Sequence, residues 1–310
     1  MKKFITTLAK FSLFCAFGYF LLVCVFGMSI PSYYSPNITS HLGGSGHLNS
    51  RIKEANNKAH VDILILGSSH AYRGLDTRII ERSGNSAFNL GSSSQTPIQT
   101  EILVNRYLSH LEPSLVIFEV YPSAFTLDGA ESSLDLIINS RVDLPLAKLV
   151  IKQKNIKLIN SGVYASMRQF LNLETVFTEE NTNSSGTYIS GGFVEDSVRT
   201  YRYDDYDKQR WDFKPYQFEA FDRILSSIKL SGAECLLVFS PITPRRYNSY
   251  TNQVYFDSLM TSKASYFNFN QLIQLDDSLH FSDSHHLNQH GVEIYNRKLL
   301  QVMDSLGLSD

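Results

Sequence analysis

Val61-Asp62-Ile63-Leu64-Ile65-Leu66-Gly67-Ser68-Ser69 is an apolar run of strand length that halts on a glycine and passes into two small hydroxyl side chains. A short apolar run closed by glycine is the pattern of a strand buried in a parallel sheet. The chain then repeats the pattern. Asp76 to Arg82 reads as helix and is broken by Ser83-Gly84-Asn85, and Ala87-Phe88-Asn89-Leu90 is a second strand closed by Gly91. Thr96-Pro97 opens a helix to about Leu111, since proline is well placed in a first turn, and Ser114 to Tyr121 is a third strand stopped by Pro122. Strand, helix, strand, helix, strand predicts an α/β fold with a central parallel sheet and helices on both faces.

The same alternation returns later in the chain. Tyr216–Leu230 is predicted as helix, Glu234–Phe239 as strand, Tyr247–Thr261 as helix and Ala264–Phe269 as the last strand, and Asn288 can cap a closing helix to about Leu306. The middle is less regular. Leu134 to about Leu173 predicts two or three helices, whereas Thr178–Asp207 is polar and aromatic, with Asn181-Thr182-Asn183-Ser184-Ser185-Gly186 and Gly191-Gly192. A lid or wall over a site and plain disorder both fit that stretch. One domain over residues 59–310, with an insertion at about 130–215, fits better than two.

Ahead of it lie Lys2, Lys3 and Lys10, then an uncharged run from Phe11 to Ile30. At 1.5 Å per residue such a run spans roughly 30 Å, the thickness of a bilayer's hydrocarbon core. The expectation is a cytoplasmic tail at 1–10, a transmembrane anchor at 11–30, a Ser/Asn/Gly-rich juxtamembrane spacer at 31–58 ending in a short helix around Arg51–Ala59, and an extracytoplasmic domain. A cleaved signal peptide is the competing reading, but its apolar region is usually shorter, and no small-x-small cleavage site precedes Pro31. The 310 residues are 43% apolar, enough for a proper core, and a net charge of -2 gives no electrostatic case for nucleic acid as a partner. Of the three cysteines, Cys15 and Cys24 lie in the apolar run and leave Cys235 alone, so no disulfide framework is expected.

In open parallel sheets ligands gather at the carboxyl ends of the strands. Gly67-Ser68-Ser69-His70, Gly91-Ser92-Ser93-Ser94, Tyr121-Pro122 and Ser240-Pro241 all fall at such ends, and Asp283-Ser284-His285-His286-Leu287-Asn288-Gln289-His290-Gly291 joins the last strand to the last helix. A carboxylate three residues before a histidine, far downstream of an exposed-looking serine, supplies the parts of an acyl-transfer site. Blander readings stand beside this one. Ser68 and Ser69 serve as turn residues, His286 as a solvated or core histidine, Asn288 as a helix cap and Gly291 as a close-packing position. Arg245 and Arg246 after Pro244 could grip an anionic substrate or be a solvated pair. Tyr201-Arg202-Tyr203 and Trp211 could stack on sugar rings or lie in the core. His70, His285 and His290 are not expected to be catalytic. A zinc site from Asp283, His285, His286 and His290 lacks the helical His-x-x-x-His pair facing a third ligand.

Gly67-Ser68-Ser69, Asn89-Leu90-Gly91 and Asp283-x-x-His286-Leu287-Asn288-x-x-Gly291 together resemble the SGNH (GDSL-like) hydrolase superfamily, over roughly residues 60–125 and 232–306. The anchored, outward-facing arrangement is similar to the branch containing the D-alanyl-transfer proteins of teichoic acid modification and the alginate O-acetylation proteins. The resemblance implies a three-layer flavodoxin-like SGNH fold, with Ser69 as nucleophile, His286 as base and Asp283 as its orienting partner. It also implies an oxyanion hole from the Ser69 and Gly91 N–H groups. Two departures are plain: Ser68 stands where the family usually has Asp, and Glu119-Val120-Tyr121-Pro122-Ser123 holds no Asn to act as a further oxyanion donor. The expected activity is that of a membrane-anchored serine esterase or O-acyltransferase on a cell-envelope polysaccharide, needing no metal or cofactor. A multi-pass acyltransferase is the partner expected by analogy. A non-catalytic glycan- or partner-binding component of an envelope assembly is the alternative, favoured by the missing Asn.

Overall fold

The computed structural model describes every residue except 45, 175–176, 185, 197–200, 203 and 309–310. Its strands are β1 (Ile63–Leu66), β2 (Ala87–Asn89), β3 (Leu115–Glu119), β4 (Thr182–Asn183), β5 (Gly186–Ile189), β6 (Phe193–Glu195), β7 (Glu234–Phe239) and β8 (Ser265–Asn268). The helices used below are α1 (Lys2–Ser29), α2 (Ser69–Gly74), α3 (Pro97–Leu111), α4 (Leu144–Gln153), α5 (Ile156–Phe170), α6 (Pro215–Ser231) and α7 (Gln289–Ser305). Cα packing divides the chain into two compact units, one of residues 1–43 and 133–178, the other of residues 44–132 and 179–310. The expected spacer at 31–58 is thereby divided after residue 43, and the expected insertion at about 130–215 is divided after residue 178.

The larger unit holds a five-stranded parallel sheet in the order β2-β1-β3-β7-β8. This is the flavodoxin-like order, and the expected α/β architecture with a central parallel sheet is the one found. Alternate side chains face opposite layers, as the period of two requires. Ile63, Ile65, Ile117, Leu236 and Val238 pack with Tyr295, Leu299 and Met303 of α7, whereas Phe118 meets Phe221 of α6 with ring centroids 5.4 Å apart. Thr96 and Gln99 form a capping box that starts α3 at Pro97, and Gly232 in left-handed conformation ends α6.

Three local differences have physical causes. The helix expected over Tyr247–Thr261 is two, Pro244–Ser249 and Gln253–Thr261. Between them Asn252 exchanges two hydrogen bonds with the Trp211 backbone, at 3.1 Å each. The described part of Thr178–Asp207 contains an antiparallel sheet, β4-β5-β6. Gly192 beside it (φ 89°) abuts the Asn89 carbonyl so closely that no Cβ would fit. Finally, the short helix expected around Arg51–Ala59 runs instead over Leu48–Asn57 and buries Arg51, whose guanidinium donates to the carbonyls of Gly46 and Gly192.

In the smaller unit α1 has 28 residues and a mean hydropathy of 2.2 over its most apolar window, long and apolar enough to cross a membrane. Tyr164 of α5 packs onto Gly27 of α1. Tyr19 donates to Asn160 Oδ1 at 2.6 Å, and buried Arg168 donates to Ser40 O, Ile138 O and Glu174 Oε1.

Candidate active site

β1 delivers the serines to the carboxyl edge of the sheet. Gly67 turns the chain with φ 140°, and a Cβ there would lie 2.8 Å from both the Cβ and the carbonyl oxygen of Glu119, so only glycine lets the turn sit this close to β3. Ser68 caps α2 by accepting the His70 N–H, and Ser69 is the first helical residue, half-buried at the helix entrance.

From 217 positions downstream, His286 Nε2 comes within 2.7 Å of Ser69 Oγ, and its Nδ1 lies 2.7 Å from Asp283 Oδ2. Asp283 Oδ1 accepts the N–H groups of His285 (2.9 Å) and His286 (2.8 Å), so the carboxylate is oriented by its own loop. That loop is closed by Ser282 N–H to His286 O at 2.9 Å and Asn288 N–H to His280 O at 3.0 Å. Asn288 also caps α7 through Gly291 N–H at 3.2 Å. Burial opposes ionisation of Asp283, but the hydrogen bond and charge of His286, helped by His285, hold its carboxyl well below the usual range. Burial and then His286 push His285 down to about 4. Burial, with His286 and His285, also holds His70 well below the usual imidazole range. Both flanking imidazoles are therefore neutral at pH 7, and positive charge can develop on His286 without a charged ring beside it.

A second hydroxyl–imidazole–carboxyl set lies directly behind the first. Ser68 Oγ is 3.0 Å from Glu119 Oε2, to which it donates, and 3.1 Å from His70 Nδ1. The His70 ring lies 5.0 Å from that of His286, stacked at 29°, and 3.9 Å from that of Tyr121. Burial pushes the Glu119 carboxyl up to about 8, against the opposing hydrogen bonds from Ser68.

The cleft at Ser69 has a volume of about 210 Å³, and Ser94, Tyr121, Ser123, Arg246 and His285 line it. Gly91 is not in its wall. The Gly91 N–H donates to Asn89 Oδ1 at 3.0 Å, and the residue is packed against Ala71 and the Ser68 carbonyl, so the expected pairing of Ser69 and Gly91 as oxyanion donors fails at Gly91. Ser94 (φ 50°) has no hydrogen bond to its N–H or hydroxyl among the described residues, nor does the Ser69 N–H. Ser123, in the stretch where an Asn was sought, accepts the Trp211 indole N–H at 3.2 Å and also meets the Tyr121 hydroxyl. Trp211 is 3% exposed, packed with Tyr121, Phe239, Ile242 and Tyr250, and so supports the wall rather than stacking on a ligand. Tyr201 packs against the core, and Tyr203 lies outside the described residues.

The arginine pair divides. Arg245 is tied to Asp205 (2.9 Å) and Asp277 (3.5 Å), away from the cleft. Arg246 faces the cleft, its Nη1 3.3 Å from Ser284 Oγ and its guanidinium 5.5 Å from the Tyr206 ring centroid, with no carboxylate partner among the described residues. Asp283, His285 and His286 offer ligand atoms within 4.8 Å of one another, but Asp283 and both His286 nitrogens are already engaged in the relay.

No family model matches the chain, and no curated protein does. Among solved structures, a Bacteroides fragilis protein named as an acylhydrolase aligns over 85% of this chain and 99% of its own, at 10% identity and a TM-score of 0.43. A GDSL-like lipase from Bacteroides thetaiotaomicron aligns over 84% and 98%, at 11% identity and a TM-score of 0.38.

Proposed function

We propose that this chain is a serine esterase or O-acyltransferase that works through an acyl-enzyme on Ser69. The observation that carries the reading is the unbroken relay from Ser69 Oγ to His286 to Asp283, with both hydrogen bonds at 2.7 Å. His286 Nε2 takes the hydroxyl proton as Ser69 attacks the acyl carbon, and Asp283 stabilises the imidazolium that results. Collapse of the tetrahedral intermediate passes that proton to the departing alcohol. Water or an acceptor hydroxyl then repeats the sequence in reverse. The Ser69 N–H remains an oxyanion donor, and Ser94 and Ser123 take the place expected of Gly91, each donor worth about 3 kcal/mol of barrier in comparable sites. Arg246 holds an anionic group of the substrate, because a guanidinium on a cleft wall with no carboxylate partner among the described residues favours a carboxylate or phosphate.

The finer reading is an outward-facing enzyme anchored through residues 11–30, with Lys2, Lys3 and Lys10 on the cytoplasmic side and an acylated envelope polysaccharide as substrate. A multi-pass acyltransferase would supply acyl groups, since a single span offers no route across the membrane. A fluorophosphonate probe tests the core of the proposal: labelling of the folded chain that vanishes in Ser69→Ala supports it. A folded chain that never labels, and whose biological activity survives Ser69→Ala, would instead be a glycan- or partner-binding component.

A further inference from the structure

The unit built from residues 1–43 and 133–178 carries an apolar surface that the catalytic reading leaves unused. α4 and α5 form a helical hairpin turned at Lys154 (φ 51°) and capped by Asn155. The hairpin packs along α1 through Tyr164 on Gly27 and Tyr19 on Asn160. Beside this contact lies a groove of about 650 Å³, walled by Phe20 of α1 and by Ile151, Val163, Met167 and Phe170, with Ser166 the one polar side chain in its lining. Its rim is open. Phe170 is 85% exposed and Ile151 69%, and outside the groove Ile156, at the start of α5, is 51% exposed. Apolar surface of this extent on a folded unit marks a contact with something apolar.

Position and charge together identify what covers it. Phe20 lies ten residues inside Ile30, about 15 Å along a helix, half of a hydrocarbon core of roughly 30 Å. If α1 spans the bilayer, the groove wall at Phe20 is at acyl-chain depth, and the hairpin touching it is too. No acidic residue occurs between Leu144 and Leu173, while Lys148, Lys152, Lys154 and Lys157 are spread along the hairpin. Long lysine stems can keep apolar surface covered while their ammonium groups reach lipid phosphates. We infer that α4 and α5 are a second membrane-contact element, lying in the leaflet where α1 emerges, with Ile151, Ile156 and Phe170 among acyl chains and the lysines at anionic headgroups. This inference rests on the reading of α1 as a transmembrane anchor and is independent of the chemistry at Ser69.

The test uses the unmodified full chain in vesicles of equal parts phosphatidylcholine and phosphatidylglycerol. These carry a trace of phosphatidylcholine with a photoactivatable diazirine in its acyl chain. After irradiation, peptide mapping should find adducts both in residues 11–30 and in residues 144–170. Ile151→Glu with Phe170→Glu should abolish the hairpin adducts and leave those in residues 11–30 unchanged. Adducts confined to residues 11–30 would overturn the inference and leave the groove to a protein partner or a second copy. Absence of adducts from residues 11–30 would instead sink the anchor reading, and this inference with it.

Discussion

Two serines, neighbours in sequence, each meet a histidine and a carboxyl group, and their surroundings give them opposite characters. Ser69 sits at the cleft, paired to a histidine whose carboxylate partner is held ionised. Ser68 is 4% exposed, its histidine is kept neutral by burial, and its carboxyl group is pushed up to about 8. The residue types are alike, so composition does not separate nucleophile from scaffold. Burial does, because it decides whether charge can build on the imidazole when a proton arrives. The buried set is suited to holding the turn at Gly67–Ser68 against β3, and the cleft set to moving a proton.

The largest difference between the two sets is expected at the hydroxyls. Ser69→Ala should lower turnover on an activated ester by on the order of 10⁶-fold, while Ser68→Ala should keep probe labelling and lose roughly 1 kcal/mol of stability with the helix cap. Equal loss of labelling in both variants would erase the distinction. At the carboxyls, Asp283→Asn should reduce kcat by roughly 10⁴-fold, since the amide favours the wrong imidazole tautomer; a near-normal rate would remove Asp283 from the relay.

Glu119 sharpens the contrast through pH. The folded chain holds a proton on Glu119 that the unfolded chain releases above about 4.5, so this group's contribution to stability falls as pH rises from there toward about 8. Glu119→Gln should flatten that part of the stability profile, read as denaturation midpoint against pH. An unchanged slope would show that Glu119 is ionised in the fold. The smallest effect is expected at the cleft wall. Arg246→Ala should raise KM for an anionic ester about tenfold with kcat little changed, and leave a neutral ester alone; equal effects on both esters would argue against a charge-recognising role.

Much of this was legible in the sequence for a definable reason. The strands announce themselves through contiguous apolar runs closed by glycine or proline, as at Leu66-Gly67 and Tyr121-Pro122, and Asp283 and His286 sit three residues apart in one loop. These are local signals. The illegible parts are tertiary. Nothing in Asn89-Leu90-Gly91 says that the Asn89 side chain takes the Gly91 N–H. Nothing in Pro244-Arg245-Arg246 says which arginine finds Asp205 and which faces the cleft. Likewise residues 133–178 have ordinary amphipathic periodicity, and only packing reveals that their partner is the N-terminal helix.

The backbone bonds around residues 280–291 have a consequence for how this protein would fail. Because Ser282 ties to His286 and Asn288 to His280, the base and its carboxylate share one clip at the head of α7, whose tip is held to the loop after β7 by Thr243 Oγ1 donating to Ser284 O at 2.8 Å. Gentle heating should therefore swing the clip away from Ser69 before it scrambles the clip itself. Inactivation at that stage would be reversible on cooling, with esterase activity disappearing ahead of the global melt.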